Sequence, residues 1–347
     1  MSLFPHPACG GYRILLAALA IASTFSGVQA ESPPAATPSA ASKPSPRFEV
    51  VRFKENPIIR PGMAGLEGSL GGNIDGPSLI RVPAWVNKPL GKYYLYFAAH
   101  HGKYIRLATS DHLEGPWTIY KPGVLNLSDV AGGIEQIGSP DVHVDNKTKE
   151  LRMYFHSWAM QGGQKLLSTF VATSTDGLHY AMPTKEILGH GFSRTFEHNG
   201  SYYSVGMYLN KECIFMRSKD GLTNFVDGPH CMPRARHNAV WLEGDTLYIV
   251  YSIVGEAPEQ LYYSTVDLSQ DWTSWKVSPP EKLLTSEMDY EGANLPIAPS
   301  KHGYAKGGPV HELRDPAIFE EDGKRYLLYS VEGECGIAIA EVKSQEK

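Results

Sequence analysis

Five times between Asp75 and the C-terminus the chain repeats one phrase: a short polar or acidic lead-in, an apolar strand, a turn, a Tyr-rich strand and an Ala/Ser-containing strand. The lead-ins are DGPSLI at 75–80, SPDVHV at 139–144, SRTFEH at 193–198, RHNAVW at 236–241 and RDPAIF at 314–319. Units of several strands recurring every roughly 40 to 80 residues are the mark of a β-propeller, because one such sheet cannot bury its faces alone and neighbours must stack around an axis. The expected fold class is therefore all-β, a five-bladed β-propeller. Turn signals at Asp145-Asn146, Asp176-Gly177, Asn199-Gly200, Asp220-Gly221, Glu243-Gly244-Asp245 and Asp322-Gly323 separate the strand-like runs. No useful length shows the 3.6-residue period of a helix.

The ends of the chain read differently. Residues 1–30 carry Arg13, an apolar run at 14–22 and the small-residue exit Val28-Gln29-Ala30, the pattern of a signal peptide. The run is too short for a membrane span of about 20 residues. Residues 31–47 are rich in Pro, Ala and Ser and read as a flexible tether, and 48–347 as the propeller domain. A strand at 48–53 is expected to close the ring by pairing with the last blade. Secretion or a periplasmic location follows from the leader.

Charge narrows the partners. With 32 basic and 37 acidic residues spread along the chain, net −5, there is no basic footprint for nucleic acid or an anionic membrane. A monomer acting on a neutral or weakly charged ligand is expected. Beyond the leader three cysteines remain, Cys213, Cys231 and Cys335; the first two flank one strand and its turn, so a short disulfide is open to them. No Cys/His spacing marks a zinc site, and His100 and His101, being adjacent, would face opposite sides of a strand. Three long connections, 54–74, 120–138 and 276–313, are the places where function is expected in loops, and 276–313 is expected to line or cover a pocket.

DGPS, SPDV, the blade ending ATSTDGLHY and the phrase ATSDHLEGPW at 108–117 resemble the five-bladed glycoside hydrolases of the arabinanase, xylosidase and invertase type, family 43 in particular, over about residues 50–344. The resemblance implies polar lead-ins pointing into an axial funnel and a carbohydrate substrate. It implies carboxylates that activate water and protonate the leaving oxygen, with inversion at the anomeric carbon when they stand well apart. It implies no catalytic cofactor, although a structural calcium ion at the axis is compatible with it.

Carried over residue by residue, Asp75 takes the base position and Asp141 the position that orients substrate and neighbouring groups. The pattern then departs: Arg194 stands where the third blade offers Asp in that group, and Arg236-His237-Asn238 where the fourth offers Glu. The proton donor is then either His237 or a loop carboxylate, Glu291 first and Glu135 after it. Arg194 in the funnel would suit an acidic or otherwise modified sugar. His143, Asn238, Arg314, Asp315, His100 and Trp158 complete the candidate substrate-binding set. Each has a plainer alternative: Asp75 and Asp141 beside prolines can serve turns, Arg314–Asp315 can be an internal ion pair, and Trp158 can be inter-blade packing. A non-catalytic carbohydrate-binding propeller is the rival to the hydrolase.

Overall fold

The computed structural model describes residues 47–303 and 308–345; the segments read above as a signal peptide and, but for Arg47, as a tether lie outside the described residues. The first blade is β2 (Asp75–Arg81), β3 (Tyr93–Ala98), β4 (Tyr104–Ser110) and β5 (Thr118–Asn126). The second is β6 (Ile134–Asp145), β7 (Glu150–Gln161) and β8 (Gln164–Ser174). The third runs through β9 (Gly189–His198), β10 (Ser201–Tyr208), β11 (Glu212–Ser218) and β12 (Val226–Pro233). The fourth is β13 (Ala235–Glu243), β14 (Thr246–Ile253), β15 (Leu261–Asp267) and β16 (Glu281–Leu284). The fifth is β17 (Arg314–Glu321), β18 (Lys324–Ser330) and β19 (Ile337–Gln345).

The fifth blade takes its fourth strand from the other end of the described chain: β1 (Arg47–Arg52) pairs antiparallel with β19, from Arg47 opposite Gln345 to Arg52 opposite Ala340. Strands β2, β6, β9, β13 and β17 pack each against the next in a closed ring, which makes them the inner strands of the five-bladed propeller. Hairpins lead outward from them through the expected turns. In Asn199-Gly200 and Asp322-Gly323 both residues have positive φ, 48° and 70°, then 52° and 74°. That is the conformation whose twist matches the flanking strands.

Five apolar clusters fill the seams between blades. Four are large; Leu79, Leu95 and Phe97 against Phe319 and Leu328 form one, and Ile80 and Tyr96 against Met153 and Phe170 another. The seam between the second and third blades has only a small cluster around Tyr154, Val171 and Leu188. There β8 and β9 hydrogen-bond directly, Ser168 opposite His190 and Thr169 opposite Gly189. Cys213 and Cys231 stand opposite one another on β11 and β12 as free thiols.

Candidate active site

Each inner strand breaks its register at a matching position, and β6 breaks once more, between Ile134 and Ile137. Pairing skips between Asp75 and Ser78, Gly138 and Asp141, Gly191 and Arg194, Arg236 and Asn238, and Arg314 and Ala317. At each break one residue has positive φ: Gly76 at 59°, Ser139 at 46°, Phe192 at 57°, His237 at 25° and Asp315 at 48°. These are β-bulges, which add a residue, bend the strand and re-aim the side chains beyond it. Gly76 has a second reason to be glycine, since a Cβ there would sit 3.1 Å from Ser139 Cα.

The bulge divides each inner strand into two functions. Side chains at or before it, Asp75, Ser139, Phe192, Arg236 and His237, line an open cavity at the axis. Side chains just past it bind the neighbouring blade. Ser78 Oγ accepts from the Val142 N–H (2.9 Å), Asp141 Oδ2 from the Thr195 N–H (2.9 Å), and Asn238 Nδ2 donates to the Val205 carbonyl (3.1 Å).

Asp75 lies on the cavity floor, 7% exposed, and its carboxylate has no hydrogen bond among the described residues. Burial, then the charges of Glu334 and Asp315, push its pKa well above the ordinary carboxylate range, against the pull of Arg106 and Arg314. Glu334, in the turn between β18 and β19, accepts from Arg314 (2.9 Å) and from Asn73 Nδ2 (2.6 Å). His237 Nδ1 lies 2.6 Å from Asp315 Oδ1, a close polar contact rather than a well-aligned hydrogen bond, and its ring leans on Phe192 with centroids 4.1 Å apart. Burial opposes ionisation of Asp315, but His237, Arg314 and Arg236 outweigh it and hold that carboxyl well below its usual range. His156, which meets Gln136 at 3.2 Å, is kept neutral by burial first and by His237 and His100 next. Beneath the floor Arg236 pairs with the fully buried Glu259 (3.0 Å), and Arg314 with Glu312 and Glu334.

Of the residues singled out from the sequence, Asp75, His237, His100 and Trp158 line the cavity. Asp315 is buried behind His237, and Arg314 below the floor with its guanidinium bound to Glu312 and Glu334. Asp141 does not reach the axis: it lies beyond its bulge, bonded to His143 Nε2 (2.9 Å) and to Thr195. His143 accordingly faces a groove on the flank of the second and third blades, with Arg152, Tyr154 and Tyr202. Arg194 is also past its bulge; buried, it donates to the carbonyls of Ser139 and Pro140 and offers no fork to a ligand. Asn238 is held between blades in the same way.

Glu291 is not a cavity residue. It is fully buried, paired with Arg52 (2.7 Å), and accepts from Tyr329 Oη and from the N–H groups of Glu287 and Met288, so it ties the segment after β16 to β1 and the last blade. Glu135 is half-exposed and paired with Lys165. His100 and His101 both line the cavity, because β3 has ended at Ala98 and His101 sits in a turn at φ 59°, where strand alternation no longer applies. From the long connection 276–313, His302 and Gly303 line the cavity. Sequence reasoning missed Glu334, Gln136, His156 and Phe192; only the bulge pattern, with Pro following at 77, 140 and 316, could have indexed the inner strands well enough to find the last three.

No family model matches the chain. It is 34% identical over 324 residues, 84% of this chain and 89% of the other, to the uncharacterized protein R118 of Acanthamoeba polyphaga mimivirus. Among solved structures it superposes on a thermostable family-43 glycoside hydrolase (TM-score 0.54, 14% identity, covering 79% of this chain and 90% of that one). An alpha-L-arabinofuranosidase from Lactobacillus brevis aligns at TM-score 0.52 and 13% identity, covering 77% and 90%. The GH43_1 enzyme from Xanthomonas citri complexed with xylose aligns at 0.54 and 12%, covering 78% and 87%.

Proposed function

This chain belongs to the same family as the mimiviral protein R118 and has the five-bladed fold of family-43 glycoside hydrolases, and on that premise we propose that it hydrolyses a glycosidic bond in the axial cavity. The observation that carries the reading is Asp75, a buried carboxylate on the floor of an open cavity with no hydrogen-bonding partner among the described residues. A group so placed destabilises the fold and is retained for chemistry. Asp75 takes the water side of the reaction, and His237, oriented by Asp315, delivers a proton to the departing oxygen. Oxygen atoms of Asp75 and Glu334 lie within 4.8 Å of one another. An inverting pair needs about 6.5–9.5 Å to admit a water. His237 rather than Glu334 is therefore the donor for an inverting reaction, and the anomer formed first, read by NMR, checks this.

The segment that supplies His302 and Gly303 walls one side of the cavity, which supports removal of single units from chain ends. With Arg194 engaged by blade carbonyls, the ground for an acidic sugar is gone, and a neutral sugar fits the remaining lining better. Export directed by residues 1–30 would bring a monomeric enzyme to polysaccharide outside the cytoplasm.

The rival reading, a carbohydrate-binding propeller without catalysis, draws on Arg194 and on Arg236, His237 and Asn238 standing where the resemblance called for carboxylates. Incubating the mature protein with a polysaccharide panel decides between them. Released reducing sugar, lowered about 10²–10⁴-fold by Asp75→Asn with binding retained, supports the hydrolase. Polymer retained without release supports the rival, and full activity in Asp75→Asn removes Asp75 from the mechanism.

A further inference from the structure

We propose that Asp75, His100 and Glu334 form a binding site for one divalent transition cation, Zn²⁺ or Mn²⁺, on the floor of the axial cavity. One carboxylate oxygen from each acid and one ring nitrogen of His100 all lie within 4.8 Å of one another. Donors at about 2.0–2.2 Å from a tetrahedral cation stand about 3.3–3.6 Å apart, so side-chain rotation that draws the widest pair in by up to about 1.5 Å completes the set. All three residues line the same open cavity.

A gathering of acidic groups is not a site, and two further features make this one. Asp75 is 7% exposed, faces the cavity and accepts no hydrogen bond from the described residues, so its oxygens are directed at something the protein does not supply. A cation is the partner that a buried carboxylate beside a second carboxylate lacks. The other two ligands are held from behind by one residue. Asn73 Nδ2 donates to Glu334 Oε2 (2.6 Å), and Asn73 Oδ1 accepts the His100 backbone N–H (2.7 Å). Arg314 fixes the other oxygen of Glu334 (2.9 Å), and Arg106 fixes the Asn73 carbonyl (2.9 Å). Such outer partners set ligand orientation and sharpen affinity.

The donor set selects the cation. Ca²⁺ takes six to eight oxygen ligands, whereas one imidazole with two carboxylates suits first-row transition ions. Three protein ligands leave positions open toward the cavity, where a water or a sugar hydroxyl completes the shell. No Cys/His spacing announces the site, because its ligands come from the start of β2, the turn after β3 and the turn after β18.

The test uses the mature protein, stripped with a chelator and titrated calorimetrically with Zn²⁺, Mn²⁺ and Ca²⁺ in the absence of sugar, so that it stands apart from any result on hydrolysis. One Zn²⁺ or Mn²⁺ per chain, bound more tightly than Ca²⁺, is expected, with affinity at least tenfold lower in His100→Ala and in Asp75→Asn. Asn73→Ala should weaken it about 10–100-fold. His143→Ala, on the flank, should leave it unchanged. Circular dichroism and thermal melts establish that each variant is folded; His100→Ala removes a partly exposed side chain and keeps the test open if a change at Glu334 unfolds the blade. Binding that is substoichiometric, tighter for Ca²⁺, or equal in wild type, His100→Ala and Asp75→Asn overturns the site.

Discussion

The propeller contains two His–Asp pairs on its inner strands, alike in contact and different in place. His237 meets Asp315 at 2.6 Å, and His143 meets Asp141 at 2.9 Å. The first pair closes the cavity floor, with the histidine side chain 13% exposed; the second opens on the flank groove, with its histidine 40% exposed. His237 and Asp315 are themselves bulge residues, whereas Asp141 and His143 lie past theirs. One inserted residue at the matching position of each strand thus separates side chains that line the axial cavity from side chains spent on joining blades. The largest expected effect tests that separation. His237→Gln should lower kcat on the substrate found by the polysaccharide panel by about 10²–10⁴-fold, while His143→Gln stays within about twofold. Equal losses would erase the distinction.

The fold was legible for physical reasons that the site does not share. Strand alternation, Asn-Gly and Asp-Gly turns and five recurring lead-ins are local signals, and they sufficed for the propeller and for the closing strand β1. The site depends on register, and a slip of one residue turns every later side chain to another face. Treating each lead-in as one polar group aligned Asp141 and Arg194 with the axis, when the bulges at Ser139 and Phe192 carry them into the seams. Glu334 was invisible for another reason: it belongs to no lead-in and enters from the turn between the outer strands of the fifth blade. Glu291 misled in the opposite direction, because an acidic residue in a long Pro/Gly-rich loop resembles a loop catalyst, yet the chain uses it to bind Arg52, Tyr329 and two backbone amides.

Stability should divide the same carboxylates with opposite signs. Asp141 accepts the Thr195 N–H at the seam with the smallest apolar cluster, so Asp141→Asn should cost about 1–3 kcal/mol in urea unfolding. Burial works against its charge, but His143, Arg194 and that amide prevail and lower its pKa. Its contribution is therefore present above the unfolded value of about 3.9 and fades as pH falls through the lower folded value. Asp75 has no such amide, and in metal-free protein Asp75→Asn should leave stability unchanged or raise it by about 1 kcal/mol. A loss at Asp75 as large as that at Asp141 would mean that the axial carboxylate also holds the fold together.

The smallest effect comes from a device repeated on the outer edges of the second and third blades. In Ser174–His179 and Ser218–Thr223 the serine hydroxyl accepts the N–H of the Asp and of the Gly after it, while Oδ1 of Asp176 and of Asp220 accepts the next two N–H groups. The turn carbonyls then latch the preceding blades, Gly177 accepting from Tyr96 (3.0 Å) and Gly221 from Tyr154 (2.8 Å). Partial burial opposes ionisation of Asp220, but the amides of Leu222 and Thr223 and the two hydroxyls bring its pKa down to about 2. Because the folded value is depressed, this stabilisation is complete above about pH 4 and disappears as pH falls through about 2. The group is largely exposed, so solvent screening limits the effect, and Asp220→Asn should lower stability at pH 7 by about 1 kcal/mol. Scanning calorimetry should find a Tm about 2 °C lower at pH 7 and coincident melts near pH 2. A gap that persists in acid would show that Asn also disrupts the turn's shape, and that the edge carboxylates act through geometry as well as charge.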